Sequence, residues 1–209
     1  MAFFGQVSVT HQMPLSPALC CTRHGLALTV VLAGLYLAGT GLSANADWYG
    51  VVIRWLHFLA GITWIGLLYF FNVVNAGFMK SLDGPTKNIV IPKLMPSALA
   101  WFRHGATVTV IVGLLLYVYH YGQNMTSSGA IAVGIGGLLG IIMWANVWFV
   151  IWPNQKKIIA AVSRTAQNAA PAPPEMAGWG RTALMASRIN FMLSIPMLFF
   201  MAAGSHFTH

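Results

Sequence analysis

Five long apolar runs, almost free of charge, constrain this chain more than anything else in it. They cover roughly residues 25–44, 50–73, 97–119, 129–152 and 182–203. A helix rises 1.5 Å per residue, so about 20 residues cross the ~30 Å hydrocarbon layer of a bilayer, and each run reaches that length. Charged residues make up 7% of the chain and apolar ones 57%, which leaves too little polar surface to solvate a water-soluble domain of this size. The expected fold is an all-α integral membrane protein, a bundle of about five transmembrane helices. It forms one domain over residues 23–209, behind an N-terminal tail of residues 1–22.

The basic residues orient the bundle. Arg23 precedes the first run, Lys80, Lys87 and Lys93 fall between the second and third, and Lys156, Lys157, Arg164 and Arg181 between the fourth and fifth. All of these connections share one side. The alternate connections, 45–49, 122–128 and 204–209, hold no Lys or Arg, and Asp47 lies in the first of them. By the positive-inside rule the N-terminus is cytoplasmic and the C-terminus lies on the far side, which is the periplasmic side in a bacterial inner membrane. The same distribution accounts for the net charge of +8 without nucleic acid, since no basic stripe alternates with exposed aromatics. Trp48, Trp55, Trp101, Trp148, Trp152 and Trp179 sit near run ends, as an interfacial aromatic belt requires. Arg23, the first run and Ala44-Asn45-Ala46 together have the form of a cleavable secretory signal, but the run is read as a retained anchor. The remaining topology is the same either way. Pro171, Pro173 and Pro174 mark an extended linker, and Pro196 a kink in the last helix.

Ionisable groups inside a span are costly, which makes them candidates for a functional site. An outer layer gathers on the second run, where Arg54, His57, Gly61 and Trp64 share a helical face, with His120 ending the third run and His206 following the fifth. A neutral imidazole binds haem iron, a nearby glycine lets a flat macrocycle approach, and an arginine closer to water pairs with a propionate. An inner layer holds His24, Asn72, Asn75, Arg103, His104, Asn146, Arg188 and Asn190. His57 and His104 start from opposite faces, so one iron does not reach both. The economical pairings are His57 with His206 or His120, and His24 with His104. Each has a plain alternative, because membrane histidines and asparagines also serve as interhelical hydrogen-bonding groups and arginines snorkel to the interface. Met185, Met192, Met197 and Met201 read as packing rather than a copper site. Cys20 and Cys21 form no Cys-x-x-Cys-His, so haem is not attached covalently as in a c-type cytochrome.

Three blocks carry a family likeness. They are Arg54-Trp55-Leu56-His57-Phe58-Leu59-Ala60-Gly61-Ile62-Thr63-Trp64-Ile65-Gly66, Asn146-Val147-Trp148-Phe149-Val150-Ile151-Trp152-Pro153-Asn154-Gln155-Lys156-Lys157, and Ala186-Ser187-Arg188-Ile189-Asn190-Phe191 running on through Pro196 to Ser205-His206-Phe207. Over roughly residues 48–208 the chain resembles the membrane domain of bacterial membrane-bound urate oxidases. Longer relatives often end in a c-type cytochrome, which this chain lacks, and the resemblance implies that electrons pass to such a cytochrome or to another redox subunit. The block around His57 is more distantly similar to small membrane proteins that hold b-type haem through an early-helix histidine, among them a bacterial protoporphyrinogen oxidase.

Three functions remain open on these grounds. The first is a b-haem-binding electron-transfer subunit with a site near His57 and His206. The second is a urate-oxidase-like oxidoreductase acting through Arg103, His104, Asn146 and Arg188. The third is a structural subunit of a respiratory or oxygenase complex, packed through Gly134, Gly136, Gly137 and Gly140. Asp47, Asp83 and Glu175 are the only carboxylates and all lie between runs, which disfavours a proton-relaying carrier.

Overall fold

A computed structural model describes residues 17–40, 47–168, 171–204 and 206. The tail through residue 16, the Ala44-Asn45-Ala46 motif, His11 and His209 lie outside them. The chain divides into two units, Met1–Asp47 and Trp48–His209. The first contains α1, Pro17–Thr40, which opens on a proline at a position where the missing N–H costs nothing. It therefore begins eight residues before the apolar run and carries Cys21, Arg23 and His24 within its first turns.

The second unit is helical throughout, with no strand among the described residues. α2 (Trp48–Tyr69) passes into a π turn, Phe70–Asn75, and on through α3 (Ala76–Ser81). After a two-residue break at Leu82 and Asp83, α4 runs back from Gly84 to Tyr121. α5 (Ser128–Asn146) passes through a second π turn, Val147–Ile151, into α6 (Trp152–Asn168), and α7 (Met176–Ala203) returns. The side-chain oxygen of Ser127 accepts a hydrogen bond from the Ala130 N–H, capping α5. Among the described residues, five helices are long and apolar enough to cross a membrane.

Two expected connections are instead mostly helix. The expected connections at 72–96 and 153–181 are mostly taken up by the end of the first π turn, α3, the first half of α4, α6 and the start of α7, so that Pro92 and Pro96 sit inside α4. Hydropathy reports where lipid would end, and a helix need not stop there. Lys87, Lys93, Lys156, Lys157 and Arg164 are good helix formers that interrupt the apolar run without interrupting the helix. The continuous segments Trp48–Ser81, Gly84–Tyr121 and Ser128–Gln167 of 34, 38 and 40 residues are roughly 50–60 Å long, well beyond one hydrocarbon layer. The Pro171–Pro173 stretch is non-helical, as expected, whereas α7 continues through Pro196.

The core is built where α2, α4, α5 and α7 meet. Trp64, Leu68, Phe102, Ala106, Met143, Val147 and Met197 are all buried in one cluster. Small residues set the closest approaches. A Cβ on Gly129 would stand 2.9 Å from the Gly204 carbonyl oxygen, and one on Gly136 3.1 Å from that of Met197, so α5 and α7 touch backbone to backbone. Of the α5 glycines expected to serve packing, Gly136 does so against α7, whereas a Cβ on Gly140 meets nothing within 4 Å. Gly129→Ala is expected to destabilise the bundle by about 1–3 kcal/mol, since a carbonyl cannot swing aside as a side chain can. Gly140→Ala meets no such obstacle and gains helix propensity of up to about 1 kcal/mol. Thermal unfolding in detergent compares the two, and equal melting temperatures would contradict the assignment.

Candidate functional site

α2 and α4 cross along a seam of small residues. Gly105, Thr109 and Gly113 recur every fourth residue on α4 and so share one face. A Cβ on Gly105 would touch Thr63 Cγ2 and the Trp64 backbone nitrogen at 3.4 Å, and one on Gly61 would meet Thr109 Cγ2 at 3.8 Å. His57 fills the top of this seam. Its Nδ1 lies 3.0 Å from the Thr109 carbonyl oxygen, to which it donates, and the half-buried ring lies against Gly113. A Cβ at Gly113 would stand 2.8 Å from His57 Cε1 and 3.1 Å from Nδ1, so only glycine leaves room for the imidazole in this position.

That hydrogen bond fixes the tautomer. With the proton on Nδ1 and held by a backbone carbonyl, the lone pair is on Nε2, for which no hydrogen-bond partner exists among the described residues. Metal-binding histidines are oriented in the same way, by a carbonyl or carboxylate on the other ring nitrogen. The seam thus leaves one oriented imidazole nitrogen available as an acceptor or ligand atom. A turn above, Arg54 is exposed and donates from Nη2 to Nε2 of His120 at 2.7 Å, which requires a neutral His120 with its proton on Nδ1.

The other expected outer residues are placed differently. Trp64 is 1% exposed, within the core, and its Nε1 has no partner among the described residues. Gly61 faces α4, where it serves close helix packing. His206 is exposed in the turn after α7, its backbone N–H donating to the Ala203 carbonyl, on a different helix pair from His57. No group of three or more His, Cys, Asp or Glu side chains is placed to hold a metal ion among the described residues.

The inner layer resolves into two parts. Asn146, Asn190 and Asn72 tie helices together. Asn146 Nδ2 donates to the Ala186 carbonyl at 2.9 Å and to Asn190 Oδ1 at 2.8 Å, Asn190 Nδ2 donates to the Met143 carbonyl at 3.0 Å, and Asn72 Nδ2 donates to the Leu68 carbonyl and to Ser187 Oγ. Arg103 belongs to a second group on the α4/α6 side. Its guanidinium lies 3.6 Å from the Trp152 ring centroid and 5.9 Å from that of Trp148. Both Trp144 and Trp148 donate from Nε1 to Thr107 Oγ1. His104 is exposed beside it, edge-on to Trp148 at 6.3 Å, while Arg188 is exposed on α7 and His24 belongs to the N-terminal unit.

Thr109 and Gly113, which seat the His57 ring, were not among the residues the sequence singled out. The signal was present as the four-residue spacing of Gly105, Thr109 and Gly113, a pattern that lets membrane helices approach closely. It carries no chemistry of its own, and only the facing helix gives it meaning.

Fold and site together define an all-helical bundle, with five helices among the described residues long and apolar enough to cross a membrane and a backbone-oriented histidine between two of them. Residues 119–209 match the family described as urate oxidase N-terminal. Two of the three blocks that suggested this likeness fall inside the matched stretch, and the Arg54–Gly66 block with His57 falls outside it. No curated protein and no solved structure matches the chain.

Proposed function

We propose that this chain is a multi-pass protein of a bacterial inner membrane, with its N-terminus cytoplasmic, that holds b-type haem on His57 and passes electrons to a c-type cytochrome or a larger redox complex. The observation that carries the reading is the His57 Nδ1 bond to the Thr109 carbonyl, which leaves Nε2 as the free ligand atom. When bound, haem would supply a one-electron iron couple. The chain's own part is positional. Gly113 admits the ring, Thr109 fixes its tautomer, and Arg54, held by His120, places a cation on the same end of α2. The family match over 119–209 supports a redox setting for this bundle.

The purified protein is expected to show b-type bands in a reduced-minus-oxidised spectrum, and His57→Ala to abolish them. A colourless wild type ends the haem reading, and bands that persist in His57→Ala remove His57 as the ligand. Fixed-stoichiometry co-purification of a colourless protein with other subunits would favour the structural role.

A second reading follows from the family match, in which the chain oxidises urate or a similar planar substrate. Membranes containing it should then consume urate with an added electron acceptor. Absence of turnover across acceptors counts against this reading and leaves the spectral test untouched.

A further inference from the structure

We infer that Arg103 and Lys156, set around the Trp152 indole, form a site for the phosphate group of an anionic phospholipid. This rests on the membrane reading above and is independent of the haem. Arg103 comes from α4, while Trp152 and Lys156 are one turn apart at the start of α6. The guanidinium stacks on the indole at 3.6 Å and the Lys156 ammonium lies 6.0 Å from the same ring, so both cations gather at one aromatic side chain.

Stacking engages the face of the guanidinium and leaves its in-plane N–H groups to find acceptors. Arg103 Nη1 is buried and has none among the described residues. A guanidinium whose buried donor finds no protein acceptor keeps its charge uncompensated, so a counter-anion is wanted on the exposed part of this half-buried side chain. The carboxylate on α4 itself is out of reach. Asp83 stands at the N-terminus of α4, twenty residues before Arg103 and hence roughly 30 Å away along the helix.

Depth selects the source of the anion. Arg103 lies eighteen residues from the Tyr121 end of α4, or roughly 27 Å, which puts it one hydrocarbon thickness from the opposite face. Trp101, 63% exposed, and the half-buried Trp148 and Trp152 mark this level as an interface. Phe149, on the same π turn as Trp148, is 73% exposed as a lipid-facing side chain would be. A phosphate diester at this level presents two unesterified oxygens to the guanidinium fork, with the ammonium adding a second charge.

Native mass spectrometry of the delipidated full chain tests the site, with phosphatidylglycerol, phosphatidylcholine and inorganic phosphate as probes. Phosphatidylglycerol is expected to bind the wild type in preference to the other two. Arg103→Gln should weaken that binding roughly ten- to a hundredfold, the worth of charged hydrogen bonds to phosphate, and Lys156→Gln several-fold. Arg164→Gln removes the same charge farther along α6 and should leave it unchanged. If Arg103→Gln does not fold, the exposed Lys156 carries the comparison. Equal phosphatidylglycerol binding by wild type, Lys156→Gln and Arg164→Gln would overturn the inference, as would inorganic phosphate binding as tightly as the lipid. A colourless preparation that passes this test ends the haem reading and leaves the lipid site standing.

Discussion

Gly113→Ala is expected to unseat His57 without altering a single ligating or charged residue. The new methyl would stand 2.8 Å from His57 Cε1, closer than a Cβ tolerates, so the imidazole must rotate out of the seam or α2 must move away from α4. Either movement breaks the bond to the Thr109 carbonyl. The loss amounts to about 1 kcal/mol for the hydrogen bond, with about 1–3 kcal/mol more where the ring cannot fully clear the methyl. The informative readout is spectral. In a haem-loaded preparation Gly113→Ala should reproduce much of the His57→Ala phenotype, with lost or shifted b-type bands, although His57 is present. Gly66→Ala, on α2 with nothing within 4 Å of the added Cβ, is the matched control and should keep the bands. Wild-type bands in Gly113→Ala would show that the imidazole orientation does not matter to the pigment.

Asn190→Ala is the second large effect. Asn190 is 0% exposed and joins α7 to α5 at two points, accepting from Asn146 and donating to the Met143 carbonyl. Alanine removes both bonds, strips one partner from the Asn146 amide, and leaves a void beside Met143, itself buried in the core. Interhelical hydrogen bonds in membrane proteins contribute about 0.6–1.7 kcal/mol each, and unfilled core volume adds to the loss, for a total of about 2–4 kcal/mol. Ser187→Ala, which removes a single acceptor for Asn72, should cost no more than about 1 kcal/mol. Unfolding in detergent with increasing denaturant measures both. Equal midpoints for the two variants would argue against a tied α5/α7 pair.

The sequence made the number and order of apolar helices plain, because twenty-residue apolar runs with terminal tryptophans leave few other solutions. It hid the lengths of those helices. Lys87, Lys93, Lys156 and Lys157 read as loop residues in hydropathy, although a lysine propagates a helix almost as well as alanine. Within the site, His57 was legible as an ionisable group in an apolar run, and Asn146 only as two alternatives, a site residue or the interhelical hydrogen-bonding group that its bonds to Ala186 and Asn190 make it. Trp64 was not legible in the same way. Helical spacing placed it on the His57 face, yet α4 and α7 converge on that side of α2 and enclose the indole. The seat of the imidazole was illegible for a related reason, since Gly113 is fifty-six positions from His57 and acquires its role only through the pairing of α2 with α4.

The two π turns bear on how this chain tolerates changes of length. A π turn holds one residue more than the α-helical turn it replaces, so the helix on each side keeps its rotational phase while the surplus is absorbed locally. Removing one residue within Phe70–Asn75 or Val147–Ile151 would tighten that turn to ordinary α geometry and leave the faces before and after it aligned. The same deletion in mid-α4 would turn everything beyond it by about 100° and scramble the contacts of its neighbours. Single-residue gaps between this protein and its kin are therefore expected to collect in these two segments, while the seam that seats the imidazole stays constant in length.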